Sequence, residues 1–162
     1  MTPLSSLNQC SIETPIGWLT LEANQHALLR VSFTPEPVAS PCDTPVLREA
    51  GEQLTAYFAG RLQQFSVPLS IDDGTEFRQK CWRALQTIPY GETRCYSEQA
   101  EQIGSPKAAR AVGQANHHNP LSIIIPCHRV IGRSGQLVGY GGGLDRKIWL
   151  LAHEKNFMQS SG

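Results

Sequence analysis

No stretch of this chain holds the roughly 20 consecutive apolar residues that a bilayer-spanning helix requires, which argues against a membrane-embedded protein. Met1 to Leu7 has neither a basic segment nor a continuous apolar core, so an export signal is not expected and the cytoplasm is the expected location. Cysteine pairs at metal-ligand spacing are missing as well. The five cysteines, Cys10, Cys42, Cys81, Cys95 and Cys127, form no CxxC pair and no compact cluster with histidine. Odd in number and widely spaced, they read as free thiols in a reducing compartment, with no metal and no cofactor expected. There is no internal repeat. A surplus of charge of either sign is also absent: 14 basic and 14 acidic side chains cancel, which taken alone speaks against a nucleic-acid binder.

What is present is an uneven distribution of that charge. Residues 1–74 carry three basic and eight acidic side chains, a net −5, whereas residues 75–162 carry eleven basic and six acidic ones, a net +5. Such asymmetry between halves marks a nucleic-acid surface confined to one lobe, although uneven surface charge alone produces the same count. With 162 residues, 40% of them hydrophobic, the chain can bury a core as one domain or as two small lobes.

Patterning divides the chain at the same place. Cys10–Glu13, a Pro15-Ile16-Gly17 turn, Trp18–Glu22 and Ala27–Phe33 read as a short antiparallel sheet. Thr34 to Thr44 is a proline-rich loop, after which Thr44-Pro45 opens a helix to about Phe58, with Leu47, Ala50, Leu54, Tyr57 and Phe58 at helical spacing and Gly60 as terminator. Alternation at Phe65, Val67, Leu69 and Ile71 suggests an edge strand containing Pro68. Asp72-Asp73-Gly74 reads as a joint between lobes 1–74 and 75–162. Phe77, Cys81, Leu85 and Ile88 then mark a helix ended by Pro89. A helix from Ser97 to about Ile103, closed by Gly104, is followed by another that Ser105-Pro106 opens and that runs to about Ala115, a helix-turn-helix pattern. The apolar run Leu121–Ile125 resembles a strand, Gly139–Gly143 a glycine-rich loop, and Asp145 to about Glu154 a last helix.

Pro126-Cys127-His128-Arg129 sits where the buried run ends, a place from which a rigid element can present a nucleophile. A cysteine is only a few per cent thiolate at neutral pH, so a reactive one needs a base or positive surroundings, which His128 and Arg129 could supply. Neighbours in an extended strand point to opposite faces, so His128 serves Cys127 only if the chain turns or a water bridges them; the bridging water is expected. Glu154 is the carboxylate expected to fix the imidazole tautomer. By themselves these residue types fit an inert buried cysteine better than a catalytic one.

Their surroundings add more. Pro126-Cys127-His128-Arg129-Val130-Ile131, preceded by Ala108-Ala109-Arg110-Ala111-Val112-Gly113 and Asn119-Pro120, resembles the active-site region of the O6-alkylguanine-DNA alkyltransferases, the methylated-DNA protein-cysteine methyltransferases. Tyr140 with the glycines after it, and Lys147 with Trp149-Leu150-Leu151-Ala152-His153-Glu154, resemble that family's closing segment. The likeness covers residues 75–162, and is weaker before them, around Thr14-Pro15-Ile16-Gly17 and Ala56-Tyr57-Phe58. It implies an α/β protein: an N-terminal ribonuclease-H-like antiparallel sheet plus helix, and a mostly helical C-terminal lobe with a helix-turn-helix of winged-helix type. The implied activity is single-turnover DNA repair, in which an alkyl group moves from O6-alkylguanine, and from O4-alkylthymine, to the protein's own cysteine after base flipping.

The resemblance assigns Cys127 as acceptor, His128 as base through a water, Glu154 as its orienting partner, Asn119 as brace of the cysteine turn, Tyr96 as donor toward the leaving base and Lys147 as its support. Cys127, Val130, Tyr140, Gly141, Gly142 and Ser122 would line the base pocket. Arg110 would fill the space of the extruded base from the minor-groove side, on a helix kept slim by Ala109, Ala111 and Gly113, with Tyr96 and Arg129 also at the DNA. The implied partner is double-stranded DNA bearing the lesion, bound by a monomer. Two departures bear on the pocket: Ser122 stands where some members have proline, and His117-His118 precede Asn119 where arginine or small residues are also found. Gly141 replaces a serine of some members but keeps the backbone N–H. A cysteine hydrolase would use the same Cys127, His128 and Glu154 but turn over. A non-catalytic binder of alkylated DNA would lack the acceptor cysteine, which is present.

Overall fold

The computed structural model describes residues 7–72, 74–132, 135, 140 and 142–160. It is an α/β protein in two compact units, Met1–Ile71 and Asp72–Gly162.

In the first unit β1 (Asn8–Thr14), β2 (Gly17–Ala23) and β3 (Leu28–Thr34) form an antiparallel sheet in the order β1-β2-β3, the first two strands longer than their sequence patterns suggested and the third shifted by one residue. Thr14 closes the first turn: its hydroxyl donates to the Gly17 carbonyl (2.7 Å) and accepts from the Ile16 amide (3.2 Å). Gly17 stands at φ 120°, a conformation that a side chain would strain. Helix α1 (Pro45–Phe58) packs on this sheet, burying Val46, Leu47, Ala50, Leu54 and Tyr57. It begins at the expected proline.

Two expectations for this unit are corrected. Cys10 and Cys42 are not free thiols but a disulfide, because the loop after β3 folds back along β1, where the Val38 amide also donates to the Ser11 hydroxyl (2.9 Å). Residues 65–71 do not extend the sheet as a strand. Only a single parallel bridge joins Leu69 to Leu28, and the Ser66 and Val67 amides bond instead to the Gln53 side chain (3.0 and 3.2 Å). One glutamine thus takes donors that a neighbouring strand would otherwise accept.

The second unit is built on α2 (Glu76–Leu85), the two-residue β4 (Arg94–Cys95), α3 (Tyr96–Gln102), α4 (Ala109–His117), β5 (Val130–Ile131) and α5 (Leu144–Ser160). Thr75 caps α2 by accepting from the Arg78 amide (3.1 Å), and the absence of a side chain at Gly74 leaves room for the Trp82 ring. This helix ends at Leu85, ahead of Pro89, as the next three amides turn back to carbonyls three residues earlier. Helix α3 begins at Tyr96, one residue early, because the Glu98 carboxylate accepts from the Cys95 amide (2.8 Å). Helix α4 begins later than Ser105-Pro106 suggested: Gly104 at φ 81° ends the preceding turn and Ser105–Ala108 forms another before Ala109. Helix α5 runs past Glu154 to Ser160.

Polar contacts lock α2, α3 and α4 together. Trp82 donates its indole N–H to the Ala115 carbonyl (2.8 Å), and buried Gln99 and Asn116 exchange amide hydrogen bonds of 2.9 and 2.8 Å. Gln99 also donates to the Cys81 carbonyl (3.1 Å). The parallel pair β4-β5 sets Arg94 beside Val130 and Cys95 beside Ile131, so the chain leaving the Cys127 region is tied to the residues that lead into α3. Among the described residues no helix is long and apolar enough to cross a membrane.

Candidate active site

Leu121–Ile125 is not the strand its composition suggests but a knot of turns. The Ile124 amide bonds to the Ser122 carbonyl (2.8 Å), Ile125 to Leu121 (2.9 Å) and Cys127 to Ile125 (2.8 Å). Ile123 sits at φ 75°, a left-handed conformation that is costly for a β-branched residue and persists only where its surroundings enforce it. Asn119 is that enforcement. Its side-chain oxygen accepts from the Leu121 amide (2.9 Å), and its nitrogen donates to the Ile125 carbonyl (2.7 Å) and to Cys127 Sγ (3.3 Å).

The chain turns again at Cys127–Arg129, a single turn of 3-10 helix. Cys127 keeps 9% of its surface, enough to be reached from outside but too little to be well hydrated. Burial therefore raises its thiol pKa, opposed by the Asn119 hydrogen bond, the Lys147 ammonium and its own backbone amide. Burial thus favours the protonated thiol, and a base beside it would serve chemistry at sulfur.

His128 is fully buried, and its Nε2 lies 2.7 Å from Glu154 Oε2 on α5. Its Nδ1 has no hydrogen-bond partner among the described residues. Burial lowers the imidazole pKa, although Glu154 pulls it upward. Glu154 remains ionised despite its burial, held well below the ordinary carboxylate range by His128 and Arg129. Lys147, also fully buried, donates from Nζ to the Val130 carbonyl (2.6 Å). Burial lowers its pKa while Cys127 raises it.

The geometry thus brings Cys127, His128, Glu154, Asn119, Lys147 and Val130 together. The Tyr140 ring meets that of His128 edge-on at 6.5 Å, and the buried Tyr140 hydroxyl has no hydrogen-bond partner among the described residues. Tyr96, at the start of α3, lies close enough to Cys127 for the two to influence each other's ionisation; burial first, then Cys127, raises its pKa. A Cβ at Gly113 would stand 3.7 Å from the Tyr96 ring, so α4 passes beside it. Ser122 is half-buried within the turn, and Gly142, also half-buried, gives its carbonyl to Arg146 (3.0 Å). Gly141 lies outside the described residues. Arg110 is exposed on the first turn of α4 next to exposed Ala111, while Ala109 is half-buried.

Arg129 requires correction. It was expected at the DNA surface and as positive surroundings for the thiol, yet it is only 6% exposed and turned inward. Its Nε and Nη2 bind the two Glu154 oxygens (2.8 and 2.9 Å), and its Nη1 donates to the Ile88 carbonyl (2.7 Å). The charges near Cys127 come from Lys147 instead. Sequence reasoning also missed Tyr90, whose ring lies 5.7 Å from the Arg129 guanidinium carbon, and the Gly91 amide, 3.3 Å from Glu154 Oε1. Neither belongs to a motif that chemistry alone would single out. No three His, Cys, Asp or Glu side chains among the described residues come together as a metal site.

The chain is similar to known proteins along most of its length. Residues 76–156 match the family model of the 6-O-methylguanine DNA methyltransferase DNA-binding domain, and residues 10–71 that of its ribonuclease-like domain. A methylated-DNA–protein-cysteine methyltransferase of Mycolicibacterium paratuberculosis is 51% identical over 156 residues, covering 93% of this chain and 94% of the relative. The constitutive Bacillus subtilis enzyme of the same name is 45% identical over 153 residues, covering 88% and 92%. Among solved structures, that of Mycobacterium tuberculosis OGT in complex with DNA superposes with a TM-score of 0.83 at 52% identity, covering 91% of this chain and 92% of that one. The chain therefore belongs to the O6-alkylguanine-DNA alkyltransferases, the methylated-DNA–protein-cysteine methyltransferases.

Proposed function

We propose that this protein repairs DNA by moving the alkyl group of O6-alkylguanine, and of O4-alkylthymine, irreversibly onto Cys127. The observation that carries the reading is the arrangement around one reachable thiol: Asn119 at 3.3 Å from sulfur, followed in the chain by an imidazole whose Nε2 is bound to a buried carboxylate. A bridging water relays the thiol proton to His128 Nδ1. Sγ attacks the alkyl carbon, the carbon–O6 bond breaks with its electron pair remaining on guanine, and the departing base takes a proton from Tyr96, whose phenolate the Lys147 ammonium balances. Burial keeps Tyr96 protonated and so able to donate.

The protein works as a cytoplasmic monomer on double-stranded DNA, approached from the minor groove. Helix α4, slim at Ala109, Ala111 and Gly113, carries Arg110 into the space of the flipped base. Cys127, Val130, Tyr140, Gly141, Gly142 and Ser122 line the pocket that receives it. The thioether formed is not open to the hydrolysis that releases an acyl group, so each chain acts once.

Duplex DNA bearing radiolabelled O6-methylguanine tests this directly. One label per chain is expected, on the peptide containing Cys127, and none after Cys127→Ser. Catalytic turnover would instead indicate a hydrolase, and lesion binding without label a non-catalytic binder. Label on Cys81 or Cys95 would remove Cys127 as the acceptor.

A further inference from the structure

We propose that Arg129 is a positioning residue of the proton relay: its fork onto Glu154 holds that carboxylate so that His128 stands as a neutral imidazole, protonated at Nε2 and free at Nδ1 to take the Cys127 proton. The proposal deepens the reading above and rests on the relay through His128.

Four hydrogen bonds to the Glu154 carboxylate follow one pattern. Oε1 accepts from Arg129 Nε (2.8 Å) and the Gly91 amide (3.3 Å), and Oε2 from Arg129 Nη2 (2.9 Å) and His128 Nε2 (2.7 Å). A guanidinium stays charged at any relevant pH, and its bidentate grip keeps the carboxylate ionised. An ionised carboxylate only accepts, so the imidazole nitrogen facing it must carry hydrogen. The lone pair of the neutral ring is then at Nδ1, the atom without a partner among the described residues. Segment 88–91 fixes the far side of Arg129: the Ile88 carbonyl accepts from Nη1 (2.7 Å), and Tyr90 lies against the guanidinium.

Charge works in the same direction. Among the described residues, the charged groups acting on His128 are Glu154 and Lys147 from α5 and Arg129 from its own turn, with the Tyr140 ring edge-on beside it. A lone buried glutamate beside a histidine would attract a proton onto the ring and use up the base before any thiol proton reached it. Arg129 already balances that carboxylate, and Lys147 further disfavours a second positive charge. Burial, Arg129 and Lys147 thus oppose the upward pull of Glu154. The base stays neutral, yet it keeps a carboxylate partner for the imidazolium that forms during transfer.

The test is nitrogen-15 NMR of the His128 ring, together with the pH profile of alkyl transfer from a free O6-alkylguanine base. In the unaltered protein at pH 7 the ring is expected to be neutral and protonated at Nε2. In Arg129→Met, which retains an apolar stem, the ring titration and the acid limb of the rate profile should both move up by about one pH unit or more. Arg129→Lys keeps a charge and should move them less while still slowing transfer. An imidazolium, or a ring protonated at Nδ1, in the unaltered protein at pH 7 overturns the proposal, as does a folded Arg129→Met protein with unmoved titration and rate profile. If Arg129→Met does not fold, the spectrum of the unaltered protein decides alone. Failure of the underlying relay looks different: His128→Ala would then transfer at the unaltered rate.

Discussion

The side-chain nitrogen of Asn119 lies 3.3 Å from Cys127 Sγ while also donating to the Ile125 carbonyl at 2.7 Å, so one residue shapes the turn and touches the nucleophile. A donor at sulfur favours thiolate over thiol and partly offsets the effect of burial.

Asn119→Ala is therefore expected to act in two ways. Loss of the Ile125 and Leu121 contacts leaves buried backbone groups unpaired, costing about 1–3 kcal/mol of stability by denaturant titration. Loss of the sulfur contact raises the thiol pKa further, so the pH dependence of iodoacetamide labelling at Cys127 should shift upward. A melt and a labelling profile both equal to those of the unaltered protein would count against this account.

Buried ionisation sets a second expectation, for stability against pH. The His128 pKa lies below its ordinary 6.5 in the fold, so as pH falls below about 6.5 the unfolded chain binds a proton that the folded one refuses, and stability drops. Glu154 is also lowered, so its contribution is present above an ordinary value of 4.5 and is lost as pH falls toward its folded value. Stability should decline in two stages on acidification, the first setting in below about pH 6.5 and the second below pH 4.5. His128→Gln should remove the first stage. A denaturant midpoint in that variant that falls between pH 7 and 5 as steeply as in the unaltered protein would contradict the assignment.

Much of this organisation was legible in the sequence, for identifiable reasons. Thr44-Pro45 marked the start of α1, the alternation of Leu19 and Leu21 marked β2, and Cys127 followed a run of buried apolar residues. Each of these signals is local. What could not be read depends on partners distant in sequence. Leu121–Ile125 has the composition of a strand, but Asn119 clamps both of its ends and pulls Ile123 into a left-handed conformation. The Cys10–Cys42 bond spans 32 residues with no spacing to announce it. Arg129 was counted with the surface charge because composition cannot tell that Glu154 and the Ile88 carbonyl wait for it inside.

The Gln99–Asn116 pair was equally hidden, and it carries a third expectation. Both amides are buried, so replacing one leaves the other unpaired in the core. Gln99→Leu or Asn116→Leu should each cost about 1–3 kcal/mol. The double variant should lose less than the sum, since both polar groups then leave together. Strict additivity in the denaturant midpoints would show that the two amides do not depend on each other.

Arg110 offers the cleanest separation between binding DNA and chemistry at sulfur. It stands exposed on the first turn of α4, whereas His128 and Glu154 are sealed inside the protein. Extruding a base from a duplex costs a few kcal/mol, and a side chain that replaces the lost stacking lowers that cost. A free O6-alkylguanine base requires no extrusion. Arg110→Ala should therefore slow transfer from duplex DNA by about tenfold or more, a loss of about 1.4 kcal/mol at the transition state, and leave transfer from the free base nearly unchanged. An exposed position leaves folding intact, and a thermal melt checks this. The variant should also lose affinity for duplex DNA, because a cation is removed from the proposed binding surface, with a shallower dependence on salt. Both effects belong to the duplex alone. Equal slowing on duplex and free base would place the defect at the thiol instead, and Arg110 could no longer be the residue that fills the gap in the stack.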